Sequence, residues 1–197
     1  MKFGKHILFT LFTSLLFSAC VQQVFLKKSP SEIVLTSIKS EGQKTVSYSF
    51  NSKIPEVFKL QDFEFDINDT YKSNLKIFMS TKYNLSEKME DVNIEYSLIS
   101  CNQTVKSTNS GMQDASNILN ALTGSKSKNY QNMLITTEIS LKVTVKKLNQ
   151  TISEKTIFTT DEYNGESNSV YTAQGSFDQA IGKSIIMIDK FLSSVQF

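Results

Sequence analysis

Three carboxylates, Asp62, Glu64 and Asp66, recur at every second position, a spacing that sets them on one face of an extended strand. Such a row could bind a divalent cation through oxygen ligands. It is equally the wetted side of a strand whose other side carries Phe63 and Phe65, and that reading needs no ion. The stretch Asp66-Ile67-Asn68-Asp69-Thr70 starts like a calcium loop but fails further on. Glycine is missing at the turn, and Ile77 stands where the bidentate Glu belongs. No metal site is expected.

The rest of the chain offers little else for chemistry. His6 is the one histidine, there is no Trp or Arg, and the two cysteines are Cys20 and Cys101. General acid–base work would fall to carboxylates, Lys or Tyr. A Gly-x-Ser-x-Gly elbow is absent, and seven scattered glycines form no phosphate loop. Neither a catalytic residue nor a cofactor is expected.

The amino terminus is more informative. Lys2 and Lys5 form a positive region, Ile7 to Phe17 is apolar but for Thr and Ser, and Ser18, Ala19 and Cys20 follow. The apolar run is shorter than the roughly 20 residues of a bilayer-spanning helix. Phe17-Ser18-Ala19-Cys20 resembles the lipobox of bacterial lipoproteins, with Phe17 where Leu is commonest. The resemblance implies a signal peptide over 1–19, cut before Cys20, with acyl chains on the Cys20 sulfur and on the new amino group. Several such chains hold a protein firmly on a membrane, at about 0.8 kcal/mol per buried CH₂. By the same resemblance Val21, rather than Asp, favours transfer to the outer membrane. Residues 20–31 then read as the lipidated Cys and a short tether.

Processing changes the charge arithmetic. Removal of 1–19 takes Lys2, Lys5 and His6, leaving 19 Lys against 19 Asp and Glu. A neutral chain without Arg has neither the bidentate contacts nor the field that nucleic acid demands, so nucleic acid is not expected as a partner. With Cys20 consumed by lipid, Cys101 has no disulfide partner within the chain. Following Leu98-Ile99 at an expected strand end, it reads as a small, half-buried apolar residue.

Beyond the tether, one domain of ordinary size is expected over 32–197. Apolar residues alternate with polar ones through 45–50, 61–68, Leu75–Met79 and Val92–Leu98, and longest through 134–147. Period-two alternation predicts half-buried strands of an antiparallel sheet. Asn149-Gln150 is the expected reversal into a strand over Ile152–Thr160. Residues 102–132 read as a polar, mobile loop, in which Ala115, Ile118, Leu119 and Leu122 suit a short helix ended by Gly124. At the carboxyl end, Phe177, Ala180, Ile181, Ser184, Ile185, Ile188, Phe191, Leu192 and Val195 fall on one helical face, with Ser176 as the expected cap. Gly182 within it suggests a close approach to the sheet.

The predicted fold class is therefore α+β: an antiparallel sheet of about six or seven strands under a carboxyl-terminal amphipathic helix. From about Leu134 onward the order of elements resembles the carboxyl half of small Gram-negative lipoproteins of the YajG and LptE type. Those have helices packed on one antiparallel sheet; the amino-terminal half departs from them, with strands where they place an early helix. Asp66–Thr70 also resembles the asparagine-glycosylation sequon of some Campylobacter-like bacteria, with Asn68 as acceptor. The expected function is that of a non-catalytic binding or assembly lipoprotein at the periplasmic face of the outer membrane. Its expected partners are the membrane, through the lipid anchor, and an envelope protein. A surface-exposed adhesin or antigen is the alternative.

Overall fold

The computed structural model describes residues 22–42, 44–55, 58–60, 63–107, 132–166 and 170–197. The signal segment, Cys20, Asp62 and the short helix expected near Ala115–Leu122 lie outside the described residues.

Three long strands form the frame: β6 (Val92–Ser107), β7 (Asn132–Lys147) and β8 (Gln150–Glu166). Their alternation is what the sequence predicts, since Ile135, Ile139, Leu141, Val143 and Val145 are all buried on one face of β7. β6 and β7 pair antiparallel, as do β7 and β8. Two edge elements complete a five-stranded sheet, β2 (Thr45–Ser52) beside β6 and the two-residue β5 (Asn84–Leu85) beyond it. Both pairings of β2 are parallel, so the sheet is antiparallel only over β6–β8. A separate small sheet has the order β1 (Gln22–Val24), β4 (Phe63–Phe65), β3 (Phe58–Leu60). The α+β class holds, with eight described strands in two sheets in place of six or seven in one.

Helix α3 (Val170–Ser194) lies over this sheet. Its buried stripe Phe177, Ala180, Ile181, Ser184, Ile185, Ile188, Phe191 and Leu192 is the expected lid. The helix begins six residues before Ser176, which is therefore interior and not a cap: its hydroxyl is hydrogen-bonded to Thr137 Oγ1 under the lid. Gly182 approaches the short helix α1 (Glu32–Ser37), not the sheet, since a Cβ there would stand 3.4 Å from Val34 Cγ2.

The largest departure is α2 (Ile67–Lys82), 16 helical residues where alternation at Leu75, Ile77 and Met79 suggested a strand. A longer window shows why. Ile67, Tyr71, Leu75, Phe78 and Met79 are wholly buried, at the spacing of one helical face, while Ile77 lies off it. Asp66 takes the N-cap position and Lys82 the last turn, a polarity that suits the helix dipole.

Three smaller differences concern a turn, a strand end and the amino-terminal stretch. The β7–β8 turn residues are Leu148 and Asn149, both at positive φ (50° and 65°), with Lys147 opposite Gln150; the reversal sits one residue earlier than expected. β6 runs on through Ser107, into the range read as loop, and a bulge between Leu98 and Ser100 turns Ile99 outward. Cys101 is consequently in mid-strand, opposite Ile139, and only 5% exposed. Part of the stretch read as a tether is also built into the fold. Gln22–Val24 pairs with Phe63–Phe65, and Val24, Leu26 and Pro30 are buried.

Candidate functional site

Of the carboxylate row, Glu64 and Asp66 are the described members. Asp66 turns to the amino-terminal strap: its Oδ1 accepts from Leu26 N (3.0 Å) and Thr70 Oγ1 (3.2 Å), and its Oδ2 pairs with Lys28 Nζ at 3.1 Å. Glu64 lies in β4, opposite Gln23 and Lys59. Among the described residues no cluster of three His, Cys, Asp or Glu could hold a metal. The Asn68 amide, the acceptor nitrogen of the sequon-like stretch, donates to Pro55 O at 3.1 Å in the first turn of α2.

Cys101 keeps its reading as a small apolar residue. Burial pushes its thiol up to about 12, far from the thiolate form that reacts. The buried tyrosines serve packing in the same way. Tyr71 OH is bonded to Ser184 Oγ, Tyr96 OH donates to Met79 Sδ (2.9 Å), and burial raises both phenols.

One polar centre had no counterpart in the sequence reading. Lys82 is fully buried, yet its three ammonium protons have three acceptors: Asp189 Oδ1 at 2.8 Å, Ser193 Oγ at 2.9 Å and Glu41 Oε1 at 3.1 Å. It ties the end of α2 to α3 and to the approach to β2. Lys44 pairs with Glu41 at 3.0 Å and sits 4.7 Å over the Phe197 ring. The acceptors are occupied, so the cluster reads as a structural clamp.

The open feature is a groove along β2. α2 runs beside this strand in the opposite direction, held at one end by Glu41 N donating to Lys82 O (2.6 Å) and at the other by Asn68 against Pro55. β5 covers only the start of β2, at Thr45 and Val46, where Ser86 N donates to Val46 O at 3.1 Å. Past Val46 no described strand pairs with that side of β2. Two clefts line up there. One, of about 710 Å³, lies among Tyr48, Lys76, Leu85, Glu87, Lys88 and Met89; the other, of about 640 Å³, among Phe50, Ile54, Asp66, Asp69 and Lys72.

The groove has an aromatic floor. Tyr48 meets Tyr96 edge to face at 6.4 Å between ring centres, and Phe50 stacks on Tyr71 at 6.2 Å. Both rings belong to the core side of β2 but are only half buried, because the covering strand stops short. Burial also raises the Tyr48 phenol. Lys72 and Lys76, one helical turn apart on α2, form the rim, and neither makes an ion pair among the described residues. Spacing could have revealed this pair of lysines only after 67–82 was recognised as a helix.

No family model matches the chain, and no curated protein matches it by sequence. Solved structures do resemble it. A DUF330-family protein from Xanthomonas campestris aligns at a TM-score of 0.50 and 10% identity, over 87% of this chain and 94% of that one. A minor lipoprotein from Acinetobacter baumannii gives 0.42 at 9% identity (77% and 93% covered). Rare lipoprotein B from Shewanella oneidensis gives 0.35 at 10% (75% and 92% covered). At such identities likeness concerns the fold alone, and the first of these comparisons carries it.

Proposed function

We propose that the mature chain is a lipid-anchored envelope protein, held through Cys20 at the periplasmic face of the outer membrane, where its body is a non-catalytic binding or assembly module. The observation that carries this reading is Phe17-Ser18-Ala19-Cys20 behind a positively charged, then apolar, leader. The groove along β2 supports it as a place for a partner, and the buried polar groups support it by being spent on packing. Among the described residues no helix is long and apolar enough to cross a membrane, so the acyl chains would supply the attachment.

The test is metabolic labelling with a palmitate analogue, followed by fractionation of wild-type and Cys20→Ser cells. Label on the wild-type chain in outer-membrane fractions, lost with Cys20→Ser, is the expected result. Membrane attachment that persists in Cys20→Ser overturns the anchor. Degradation of the wild-type chain by protease added to intact cells would place it outside, as an adhesin or antigen.

A further inference from the structure

We propose that the groove between β2 and α2 binds an extended peptide segment with acidic side chains, which pairs with the open edge of β2 as an added strand. The inference rests on the reading of this body as a binding module, though not on its lipid anchor.

The backbone supplies the first argument. Lys44 and Val46 carbonyls face β5, accepting from Asn84 N (3.0 Å) and Ser86 N (3.1 Å), whereas Lys53 N faces β6 and donates to Leu98 O (2.9 Å). Backbone groups alternate sides along a strand, so the N–H and C=O of Tyr48, Phe50 and Ser52 point to the side β5 leaves uncovered. An open row of donors and acceptors is a template for another strand. The opposite edge of the sheet is managed differently. Along β8, Lys183 from α3 reaches over to Thr160 O at 3.4 Å and is paired with Asp161, so a side chain of the chain itself meets one carbonyl of that strand. Nothing described does the same for β2 beyond Val46.

Side chains supply the rest. An added strand would complete the cover over Tyr48 and Phe50, rings that the fold leaves half buried. It would lie under Lys72 and Lys76, which stand on the second layer of the groove without ion-pair partners among the described residues. Lys88 adds a third positive charge at the Met89 end. The carboxylates of the lining have other lysines beside them: Asp66 and Asp69 share Lys28, at 3.1 and 3.7 Å, and Glu87 precedes Lys88. Lys72 and Lys76 are therefore lining charges left without an ion pair among the described residues, over an aromatic floor, which suits a strand alternating apolar and acidic residues.

The experiment uses the full mature lipoprotein in detergent micelles and a capped octapeptide of alternating Ile and Glu. Three arms accompany it: the same peptide with Lys for Glu, a copy N-methylated at alternate backbone amides, and the Lys72→Glu/Lys76→Glu protein. Hydrogen exchange is read at the amides of Tyr48, Phe50 and Ser52. Expected are slowed exchange at those amides with the Ile–Glu peptide, and binding weakened about tenfold or more by each of the three changes. Binding that ignores N-methylation overturns strand addition while leaving the binding module intact. Absence of binding to the wild-type chain, with unchanged exchange at these three amides, overturns the inference. The binding-module reading itself is tested separately by photo-crosslinkers placed in cells at Lys76 and, as a distant control, Phe158. An envelope protein captured at Phe158 alone leaves that reading standing and sinks the groove, and capture at neither position sinks both.

Discussion

Lys82 and Asp189 meet at 2.8 Å beneath the surface, with the lysine side chain wholly buried and the carboxylate 18% exposed. Removing one member of a buried pair leaves the other uncompensated, at about 3–5 kcal/mol where burial is complete. Lys82→Ala strands Asp189, leaves Glu41 with Lys44 alone and opens space in the core, so a loss toward the lower end of that range is expected. Asp189→Asn should cost less, about 1–3 kcal/mol, because Glu41 and Ser193 still receive the ammonium. Urea unfolding monitored by circular dichroism would give both values. Midpoints equal to wild type would remove the clamp from the account of stability.

Asp178 gives the chain a pH dependence of defined sign. It faces the strap residues Lys27 to Ser31 across a small cavity of about 80 Å³. Burial raises its carboxyl to about 6, against the opposing effect of the Lys27 charge and backbone N–H. The folded state thus holds this proton more tightly than the unfolded state, whose carboxyl keeps a value near the ordinary 3.8. The stability difference is small below pH 4, grows unfavourable as pH rises through about 6, and is constant above it. Asp178→Asn should accordingly match wild type at pH 4 and exceed it at pH 7.5. Urea midpoints of both proteins across that range are the measurement, and parallel curves would contradict the assignment.

How far these features were legible in the sequence depends on the length over which a pattern can be read. β7 repeats its alternation through six buried positions from Ile135 to Val145, and α3 repeats its stripe from Phe177 to Leu192, so neighbours reinforce one another. Leu75, Ile77 and Met79 gave only a three-position match to a strand, and the helical stripe of Ile67, Tyr71, Leu75 and Phe78 prevails because it buries whole side chains against the core. Lys82 continues that stripe, and a lysine on an apolar face was the available sign of a buried ion pair. Its partners Glu41 and Asp189 are remote in sequence and offered no pattern of their own. The groove was illegible for a related reason: it exists because β5 has two residues, and strand length is decided by pairing rather than by local composition.

Cys101 provides a chemical count of thiols. Buried in mid-strand and raised to about 12, it should resist a disulfide-exchange reagent at pH 8 in the folded protein. In denaturant one thiol should react, because the reading of Cys20 as the acylated residue leaves Cys101 alone. Two reacting thiols in the mature protein would count against acylation of Cys20, whereas rapid reaction before unfolding would contradict the burial of Cys101.

The β7–β8 turn contains stabilisation not yet used. Leu148 and Asn149 both have positive φ, and the Leu148 side chain is 68% exposed, so it has no packing role to offset its conformation. A branched aliphatic residue in the left-handed region costs roughly 1–2 kcal/mol, whereas Asn and Gly adopt it readily. Asn-Gly is the preferred pair for a two-residue hairpin turn of this hand. The double change Leu148→Asn and Asn149→Gly keeps the backbone donor of residue 148 to Asp91 O (2.7 Å) and relieves both positions. A gain of about 1 kcal/mol in unfolding free energy is expected, measurable as a raised urea midpoint at unchanged slope. The effect should be absent from Leu148→Ala, which trims the exposed side chain but still places a Cβ in the unfavourable region, and an equal gain there would assign the benefit to lost surface hydrophobicity instead.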